Sequence, residues 1–492
     1  MADGPVLVAG IDSSTQSTKV VVVDAADGRV VAEARAPHPD TTEVHPDVWW
    51  RALGDACAGL PDGLGAGIVD DATPRVAAVA VGGQQHGMVC LDGDGSVVRE
   101  ALLWNDTRSA PDAAELTADL GGAAAWVDRI GSVLVASFTI TKLRWLARAE
   151  PDSARRTRAV LLPHDWLTWR LRGGGQGRPG VAMVTDRGDA SGTGYFDPGR
   201  DAYAEDLLRL ALRRPDTAEL PVLPTVLGPA AVAGRTAGGA VVGAGTGDNA
   251  AASLGLEVRP GDIVVSLGTS GVVSARHDRP SADPRGYVAN FADATGGYLP
   301  LVCTLNAARV LSAAAAMLDV DLDTLSRLAV SAPAGADGVT LLPYLDGERT
   351  PDLPGAAGSL HGLRRSSMTP ANVARAAVEG MFCGLVDGLD ALRGQGVRAD
   401  RVLLVGGATA SPAVRAIAPS VFGTSVEIPA ENEYVALGAA RQAAWALSGL
   451  EEPPRWPRDT VEVLDAPTDP GPGIELRAAY ADVRSRLYPT TA

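Results

Sequence analysis

The chain carries one pattern twice: an apolar strand, a short turn of small polar residues and a second apolar strand. The first copy, VLVAGIDSSTQSTKVVVVD, starts at Val6, and the second, DIVVSLGTSGVVSA, starts at Asp262. Apolar runs bounded by Ser, Thr, Asp and Gly are typical of buried strands joined by tight turns. The two copies predict two related sheets, each with a polar turn at one end, and the two turns facing each other.

The length of the chain predicts more than one domain. Single hydrophobic cores stop growing beyond about 250–300 residues, and this chain has 492. A stretch rich in Pro, Gly and Ala over 212–238 has the composition of a connection between lobes. We predict an α/β protein with an N-terminal lobe over 1–238, a C-terminal lobe over 239–450, and a Pro-rich tail with a terminal helix over 451–492.

Local patterns also predict individual elements. Strands are expected over 6–11 and 20–24. A helix is expected over 369–394, because Thr-Pro precedes apolar residues at helical spacing and Gly ends them. The Pro- and Asp-rich segment over 451–473 predicts irregular structure, followed by a short helix over 476–487.

The overall charge narrows the range of partners. The chain has 43 Lys and Arg against 59 Asp and Glu, a net charge of −16, whereas nucleic-acid binding relies on clustered basic residues. No nucleic-acid partner is therefore expected. The N-terminus lacks a basic stretch followed by a long apolar one, and no run of about 18 uncharged apolar residues occurs elsewhere. No membrane partner is expected either.

The spacing of the cysteines indicates the cellular compartment. Cys57, Cys90, Cys303 and Cys383 stand far apart among small or apolar neighbours, without a CxxC pair. Such spacing is typical of buried thiols in a reducing cytoplasm. We expect a cytoplasmic protein, and the sequence leaves open whether it is a monomer or a homodimer.

The first polar turn raises a question of chemistry. It runs through an acid, hydroxylic side chains and a lysine, namely Asp12, Ser13, Ser14, Thr15, Gln16, Ser17, Thr18 and Lys19. Ser, Thr and Asp suit any tight turn, because their side chains bond to the nearby backbone. The same hydroxyl and N–H groups also suit a phosphate, with Asp12 serving a metal ion. Both interpretations stay open on the turn alone.

Further segments supply what phosphoryl transfer needs: a phosphate cradle, a divalent ion and a group that orients the attacking hydroxyl. The second turn mirrors the first and contains Ser266, Gly268, Thr269 and Ser270. Gly406 and Gly407 would allow a nucleotide to approach the backbone closely. Asp248, in GTGDNAA, is the candidate general base. As an alternative, it caps the helix that follows, which is a common role for Asp.

Two histidines and a tryptophan pair allow more than one interpretation. His86 follows the strand RVAAVAVGG and is either a ligand-binding or a hydrogen-bonded structural histidine. His164 with Asp165 suggests a metal pair, but no second His/Asp cluster is near them in the sequence. For this segment we predict a helix start with an apolar face. The Trp49-Trp50 pair is explained more simply by packing than by sugar stacking.

Taken together, these segments resemble the FGGY family of carbohydrate kinases. The pieces that carry the resemblance follow the family's order from about residue 6 to residue 447, and they are GIDSSTQSTKVVVVD, GGQQHGMVCLD, LLWNDTRS, TDRGDASGTGYFD, GTGDNAAASLG, SLGTSGVV, LLPYLDGERTP and LLVGGATASP. Any one of them arises easily by chance, whereas all of them in one order do not.

The resemblance implies a fold and a reaction. The fold would be two ribonuclease-H-like lobes, as in actin and the sugar kinases, with a cleft between them. The reaction would be ATP-dependent phosphorylation of the terminal hydroxyl of a ketopentose, D-xylulose to D-xylulose 5-phosphate, with Mg²⁺ as the ion. The alternatives are a kinase for ribulose, gluconate or glycerol, and a non-catalytic sugar-responsive ATPase clamp.

The resemblance also implies roles for residues. Asp248 matches the family's catalytic base and Asp12 its metal-associated acid, so both are expected to be catalytic. Sugar binding is expected from Gln85, His86, Asn105 and Asn249. ATP binding is expected from Ser13, Thr15, Thr18, Lys19, Thr269, Ser270, Gly406 and Gly407.

Overall fold

The computed structural model describes residues 4–175 and 180–489, so the last three residues of the predicted tail lie outside the described residues. In chain order the described strands are β1 (Leu7–Ser13), β2 (Ser17–Asp24), β3 (Val30–Pro37), β4 (Glu43–Val44), β5 (Ala78–Gly83), β6 (Val89–Leu91), β7 (Ala101–Leu102), β8 (Ala159–Leu161), β9 (Val184–Asp186), β10 (Phe196–Asp197), β11 (Ala202–Tyr203), β12 (Thr225–Leu227), β13 (Val232–Arg235), β14 (Val241–Gly243), β15 (Thr246–Gly247), β16 (Asp262–Leu267), β17 (Gly271–Ala275), β18 (Ala289–Ala292), β19 (Tyr298–Thr304), β20 (Thr340–Leu342), β21 (Ser359–His361), β22 (Arg401–Val405), β23 (Ser425–Pro429) and β24 (Thr460–Leu464).

The described helices lie on the faces of these strands. In chain order they are α1 (Asp47–Gly59), α2 (Ala110–Asp119), α3 (Ala123–Ile130), α4 (Thr139–Ala149), α5 (Pro151–Arg156), α6 (Pro163–Leu171), α7 (Arg187–Ala190), α8 (Glu205–Leu212), α9 (Asp248–Gly255), α10 (Ala308–Met317), α11 (Leu322–Ser331), α12 (Pro370–Gly394), α13 (Pro412–Phe422), α14 (Tyr434–Ser448) and α15 (Gly471–Leu487).

The first sheet is built on the hairpin predicted from the first copy of the pattern. β1 and β2 pair antiparallel as far as Ser13 opposite Thr18, which leaves the turn at 14–17. The strand order is β13-β14-β5-β1-β2-β3, and β15 also pairs with β5. Because β1, β5 and β15 are parallel, their carboxyl ends meet at one edge of the sheet. Ligands of open α/β sheets bind at this edge.

The second sheet repeats the first. Its order is β18-β19-β17-β16-β22-β23-β24. In each sheet an antiparallel hairpin (β1 with β2, β16 with β17) is followed on one side by antiparallel strands, which are β3 in the first sheet and β19 with β18 in the second. On the other side stand two parallel strands and then an antiparallel edge strand, which is β13 or β24. This repetition confirms the predicted two-lobe α/β fold.

Helices from the second half of the chain complete both cores. α12 begins after Thr369, whose side chain accepts a hydrogen bond from the Asn372 backbone, and this helix confirms the prediction over 369–394. α14 returns to cover the first sheet, where it packs on β1 and β5. Gly10 makes that approach possible, because a side chain there would place its Cβ 1.8 Å from the Ala436 carbonyl oxygen.

The predicted division at 238/239 cuts through the first sheet. β13 and β14 pair with each other, and β14 and β15 pair with β5. The segment predicted as a connection over 212–238 therefore contains strands of the first lobe. The chain passes to the second sheet between the end of α9 and the start of β16. The error has a physical cause, since short strands with Gly and Pro at their ends have the composition of a linker.

The predicted irregular tail is also wrong in part. β24 pairs antiparallel with β23 at the edge of the second sheet, and α15 begins at Gly471 rather than near residue 476. Trp456 is buried against the first lobe, where its indole N–H donates to the Ala25 carbonyl at 3.1 Å. The tail therefore belongs to both cores.

Two packing predictions are confirmed in part, for Trp49 and for three of the four cysteines. Trp49 is buried and meets Trp166 edge-on, with ring centroids 6.2 Å apart. All four cysteines are free thiols; three of them are buried and Cys303 is half-buried. Among the described residues, we find no helix with the length and apolar composition needed to span a membrane.

Candidate active site

Asp12 lies at the carboxyl end of β1 and is buried. Its Oδ1 accepts a hydrogen bond from the Ser14 hydroxyl at 2.5 Å, and its Oδ2 lies 3.5 Å from the Lys19 ammonium. Burial raises the pKa of Asp12, whereas Ser14 and Lys19 act in the opposite direction. The side chain thus presents carboxylate oxygens at the edge of the sheet, next to one hydroxyl and one cation.

Asp248 is the first residue of α9 and follows β15. Thr246 and Asp12 both pair with Gly82 of β5, so the two acids belong to the same edge of the sheet. Burial, and then the charge of Asp12, raises the pKa of Asp248 to about 7. An acid with such a pKa exchanges protons readily near neutral pH.

The helix-cap alternative for Asp248 is wrong in its geometry. Gly247, which has no side chain, holds the N-cap position of α9, and Asp248 is already helical. The Asp248 Oδ1 accepts from the backbone N–H of Asn249 at 2.8 Å and from its side-chain amide at 2.9 Å. The carboxylate is therefore oriented by its immediate neighbour.

Gln85 and Asn249 form a polar pair beside this acid. The Asn249 amide donates to the Gln85 Oε1 at 3.1 Å, and Gln85 Nε2 reaches the Gly188 carbonyl at 3.4 Å. Gly247 permits the approach, because a Cβ there would lie 2.7 Å from Gln85 Cγ. Gln85, Asn249 and Asp248 thus converge from β5 and α9.

His86 is held by packing and also lines a cavity, so its position is compatible with both of the roles that the sequence left open. Its Nδ1 lies 2.6 Å from the Gly192 carbonyl oxygen, and its ring packs against Phe138 and Phe291. Burial lowers the pKa of His86 to about 3, so the ring is neutral near pH 7. A neutral ring that donates from Nδ1 has Nε2 as an acceptor.

A cavity of about 250 Å³ lies between the two lobes at this point, where the sequence predicts sugar binding, and we call it the sugar-side cavity. Its polar lining includes Gln85, His86, Asp248, Asn249 and Arg349. The rest of the lining is mostly apolar and includes Val133, Val135, Phe138, Val288, Phe291 and Leu301. A small cavity with a few convergent polar groups is typical of small-molecule sites.

A larger cavity of about 700 Å³ lies on the other side of Lys19. Gly406, Gly407 and Thr409 line it from the segment after β22, and Glu433 lines it from the start of α14. Gly406 has a φ of 103°, and a Cβ there would lie 2.6 Å from the Leu267 carbonyl oxygen, so this position requires glycine. Lys19 bridges the two regions, since it contacts Asp12 and also Glu433 at 2.5 Å.

Several predicted ligands lie outside both cavities. Thr269 and Ser270 are exposed on the turn between β16 and β17. Asn105 does not line the sugar-side cavity, although its neighbour Trp104 does, and its buried amide oxygen has no partner among the described residues.

The hydroxyls of the first turn have mixed surroundings. Thr18 lies 2.9 Å from His38 Nε2, and Thr15 accepts from the Trp104 indole at 2.8 Å. Ser13 Oγ is buried with no hydrogen-bond partner among the described residues.

Sequence reasoning assigned no role to Arg349, Trp104 or Glu433. Arg349 is half-buried in the sugar-side cavity, and its charge helps to lower the pKa of His86. The segment LLPYLDGERTP is one of those that carry the family resemblance, and Arg349 is its only cation. The sequence therefore contained a signal for this residue. Glu433 had no signal in the sequence, because it meets Lys19 across more than 400 residues.

The prediction of a helix start with an apolar face at His164 is correct only in part. α6 begins at Pro163, as predicted, but Asp189 of the next short helix α7 lies 2.6 Å from His164 Nδ1. His164, Asp165 and Asp189 form a buried cluster with spacing that would suit a metal ion. The acid that completes the cluster is distant in sequence, which is why it was missed.

The chain thus has the parts of a small-molecule phosphotransferase, with a small cavity between the lobes, a larger cavity lined by glycines, and two acids at one edge of the first sheet. The model for the FGGY family of carbohydrate kinases, N-terminal domain, matches residues 7–255, and the model for the C-terminal domain matches residues 263–447. The chain belongs to the FGGY family of carbohydrate kinases. It is an enzyme of the carbohydrate kinase class.

Individual relatives agree with this assignment. The chain is 47% identical to xylulose kinase from Streptomyces coelicolor and 46% identical to xylulose kinase from Streptomyces rubiginosus, in each case over 94% of this chain and 93% of the relative. The crystal structure of xylulose kinase from Bifidobacterium adolescentis superposes with a TM-score of 0.89 at 44% identity, and covers 98% of this chain and 99% of that one.

Proposed function

We propose that this protein phosphorylates D-xylulose at its terminal hydroxyl with ATP, giving D-xylulose 5-phosphate and ADP. One observation carries the proposal: Asp248, with its pKa raised to about 7, lines a small cavity between the lobes, and Asp12 and Lys19 connect this region to the larger cavity. The xylulose kinases among the relatives support the choice of sugar. The free cysteines support a cytoplasmic location, where ATP is available.

The sugar-side cavity has the right chemistry for a small polyol. Gln85 and Asn249 offer amide donors and acceptors, and His86 offers a neutral ring. The apolar wall around Phe138 and Phe291 would cover the carbon skeleton. We propose that Arg349 also contacts the sugar, because it lines the same cavity as the base.

The larger cavity is proposed to receive ATP. Its volume falls in the usual range for nucleotide-sized ligands. The backbone at Gly406 and Gly407 would lie beside the nucleoside, and Lys19 would interact with the phosphates.

Asp12 fits a magnesium ion in the chemistry of its surroundings. Mg²⁺ prefers oxygen ligands and is bound through one or two carboxylates together with phosphates and waters. Asp12 supplies such oxygens, and next to it in the chain is Ser13, whose buried hydroxyl has no hydrogen-bond partner within 4–175 and 180–489. When bound, the ion would offset the negative charge of the transferred phosphate.

The proposed chemical step is an in-line transfer. The terminal hydroxyl of the sugar gives its proton to Asp248 while its oxygen forms a bond to the γ-phosphorus. The bond from that phosphorus to the β,γ-bridging oxygen breaks, and ADP leaves. Asp248 is suited to this because its raised pKa makes the carboxylate a better proton acceptor than an exposed acid.

A panel of acceptors tests the proposed function. With ATP and Mg²⁺, we expect the highest kcat/KM for D-xylulose, and lower values for D-ribulose, gluconate and glycerol. ADP release and sugar phosphate should be measured on the same samples. Preference for gluconate or glycerol would refute the xylulose assignment. ATP turnover that no sugar stimulates would favour the non-catalytic clamp instead.

The pH profile should show the ionisation of the base. Because Asp248 must be deprotonated to accept a proton, kcat/KM for D-xylulose should fall about tenfold per pH unit below its pKa of about 7 and level off above it. The measurement is kcat/KM from pH 5.5 to 8.5. The same acidic limb in the residual activity of Asp248→Asn would assign that limb to another group, for example the nucleotide.

A further inference from the structure

His164 lies directly behind the chain segment that leads to Asp248. It is buried in α6, and the segment 244–247 passes over its ring. Gly245 has a φ of 78°, and a Cβ there would lie 2.5 Å from His164 Cδ2, so ring and backbone are in close contact. Gly83, at the end of β5, packs on the same histidine, since a Cβ at this glycine would lie 2.7 Å from His164 Cβ.

Both ring nitrogens of His164 face oxygen acceptors. Nδ1 lies 2.6 Å from Asp189 Oδ2 and 3.2 Å from Asp165 Oδ1, and Nε2 lies 3.3 Å from the Ala244 carbonyl oxygen. Only the imidazolium has a proton on each nitrogen, so it is the form that satisfies both sides. Burial opposes the charge, but Asp165, Asp189 and Asp186 outweigh it and raise the pKa of His164 to about 10.

The same cluster continues into the residues that hold the sugar-side groups. Asp186 caps α7 by accepting from the backbone N–H groups of Gly188 and Asp189, and it also accepts from the Thr246 hydroxyl at 2.7 Å. The carbonyl of Gly188 in turn accepts from Gln85. One buried network therefore fixes both the segment before Asp248 and the partner of Gln85.

We propose that His164 is a positioning residue for phosphoryl transfer: as a buried cation paired with Asp189, it fixes the segment 244–247 and keeps Asp248 in place. The inference rests on the proposed role of Asp248 as the base. His164 does not line the sugar-side cavity, so it acts through the backbone of the segment 244–247.

Charge explains the expected effect on pH dependence. Asp248 is affected by Asp12 from β1, and its own charge raises the pKa of Asp189 on α7, so the acids interact. Around His164 the facing groups are Asp165 on its own helix, and Asp186 and Asp189 at α7. Without the cation, the pKa of Asp165 and that of Asp189 should rise further, because His164 lowers both. Protonation of these acids offsets the lost positive charge, so the pKa of Asp248 should change little.

The spacing of His164, Asp165 and Asp189 would also suit a metal ion. A ligating histidine needs a lone pair on the nitrogen that faces the metal, whereas an imidazolium has none. The geometry of both ring nitrogens therefore favours the ion pair. Metal content remains one outcome of the test.

The experiment compares His164→Gln with Leu167→Ala. Leu167 is a fully buried residue of the same helix that packs in the core of the first lobe, and its side chain has no polar atom to contribute to the cluster. For His164→Gln we expect kcat with D-xylulose to fall about 10–100-fold, with a smaller change in KM. The acidic limb of kcat/KM should stay near its wild-type pH. Leu167→Ala should keep the wild-type kcat despite a lower melting temperature.

A second measurement uses the wild-type protein and does not depend on whether the variant folds. In ¹⁵N-detected NMR of the histidine rings, one of the six histidines should remain protonated on both nitrogens at pH 9. The absence of such a ring would overturn the proposal, as would a His164→Gln protein with the kcat of Leu167→Ala. One equivalent of metal that is present in the wild type and lost in His164→Gln would replace it by a metal site. A wild-type protein without sugar kinase activity would instead refute the proposed function.

Discussion

Asp248→Asn is expected to lower kcat with D-xylulose by about 10²–10⁴-fold, the usual contribution of a positioned general base. Asparagine keeps an oxygen for the hydrogen bonds that Asn249 now donates to Asp248 Oδ1, so the start of α9 should be preserved. It cannot accept the proton of the sugar hydroxyl. Steady-state kinetics and melting temperature should be measured on the same preparation, together with the affinity for ATP, which should change little.

Asp321→Asn is the matched control. Asp321 also lies at a helix start, where it caps α11 by accepting from the Thr324 backbone, and it is remote from both cavities. Asparagine and aspartate cap about equally well, so this variant should keep full activity. An Asp248→Asn protein that folds and turns over at a near-normal rate would show that Asp248 is not the base.

The parts of the fold that were predictable are those in which neighbours in sequence are neighbours in space. The β1–β2 hairpin follows from alternate apolar runs on either side of a polar turn, and α12 follows from its Thr369 cap and helical spacing. The division of the lobes was not predictable in this way, because β14 belongs to the first sheet only through its pairing with β5. Such a pairing across more than 160 residues leaves no local pattern.

The candidate site shows the same division between local and distant contacts. Asp12, Asp248 and the Gln85-His86 pair stand directly after strands of one sheet, so position along the chain was enough to group them. Thr269 and Ser270 were predicted by the same rule, yet their turn is exposed and lies outside the lining of both cavities. Arg349 and Glu433 reach the site from irregular segments, and only the folded chain brings them there.

The contacts of Lys19 in the folded chain bear on the proposed mechanism. Sequence reasoning placed it on the phosphates, whereas in the folded chain it bonds to Glu433 at 2.5 Å and lies 3.5 Å from Asp12. The cation is thus shared between the acid proposed for magnesium and an acid of the larger cavity. Arriving phosphates would compete with Glu433 for this ammonium. Asp12 is the acid proposed for magnesium, and its charge also raises the pKa of Asp248. Its removal should therefore change both the proposed magnesium site and the pKa of the base.

Asp12→Asn is the second large effect that we expect. Loss of the carboxylate should reduce kcat about 10²-fold or more at ordinary Mg²⁺ concentrations, because a group that offsets charge on the transferred phosphate is weakened. Raising Mg²⁺ should restore part of the activity. The fold should persist, since Lys19 retains Glu433 and the amide oxygen can still accept from the Ser14 hydroxyl.

The pH profile of the Asp12→Asn variant separates this role from a general loss of structure. The charge of Asp12 helps to raise the pKa of Asp248, so its removal should lower that pKa and move the acidic limb of the residual activity to lower pH. No such shift is expected for His164→Gln, in which Asp12 is retained. The measurement is kcat/KM for D-xylulose against pH at two Mg²⁺ concentrations. Near-normal turnover with an unmoved limb would remove Asp12 from the site.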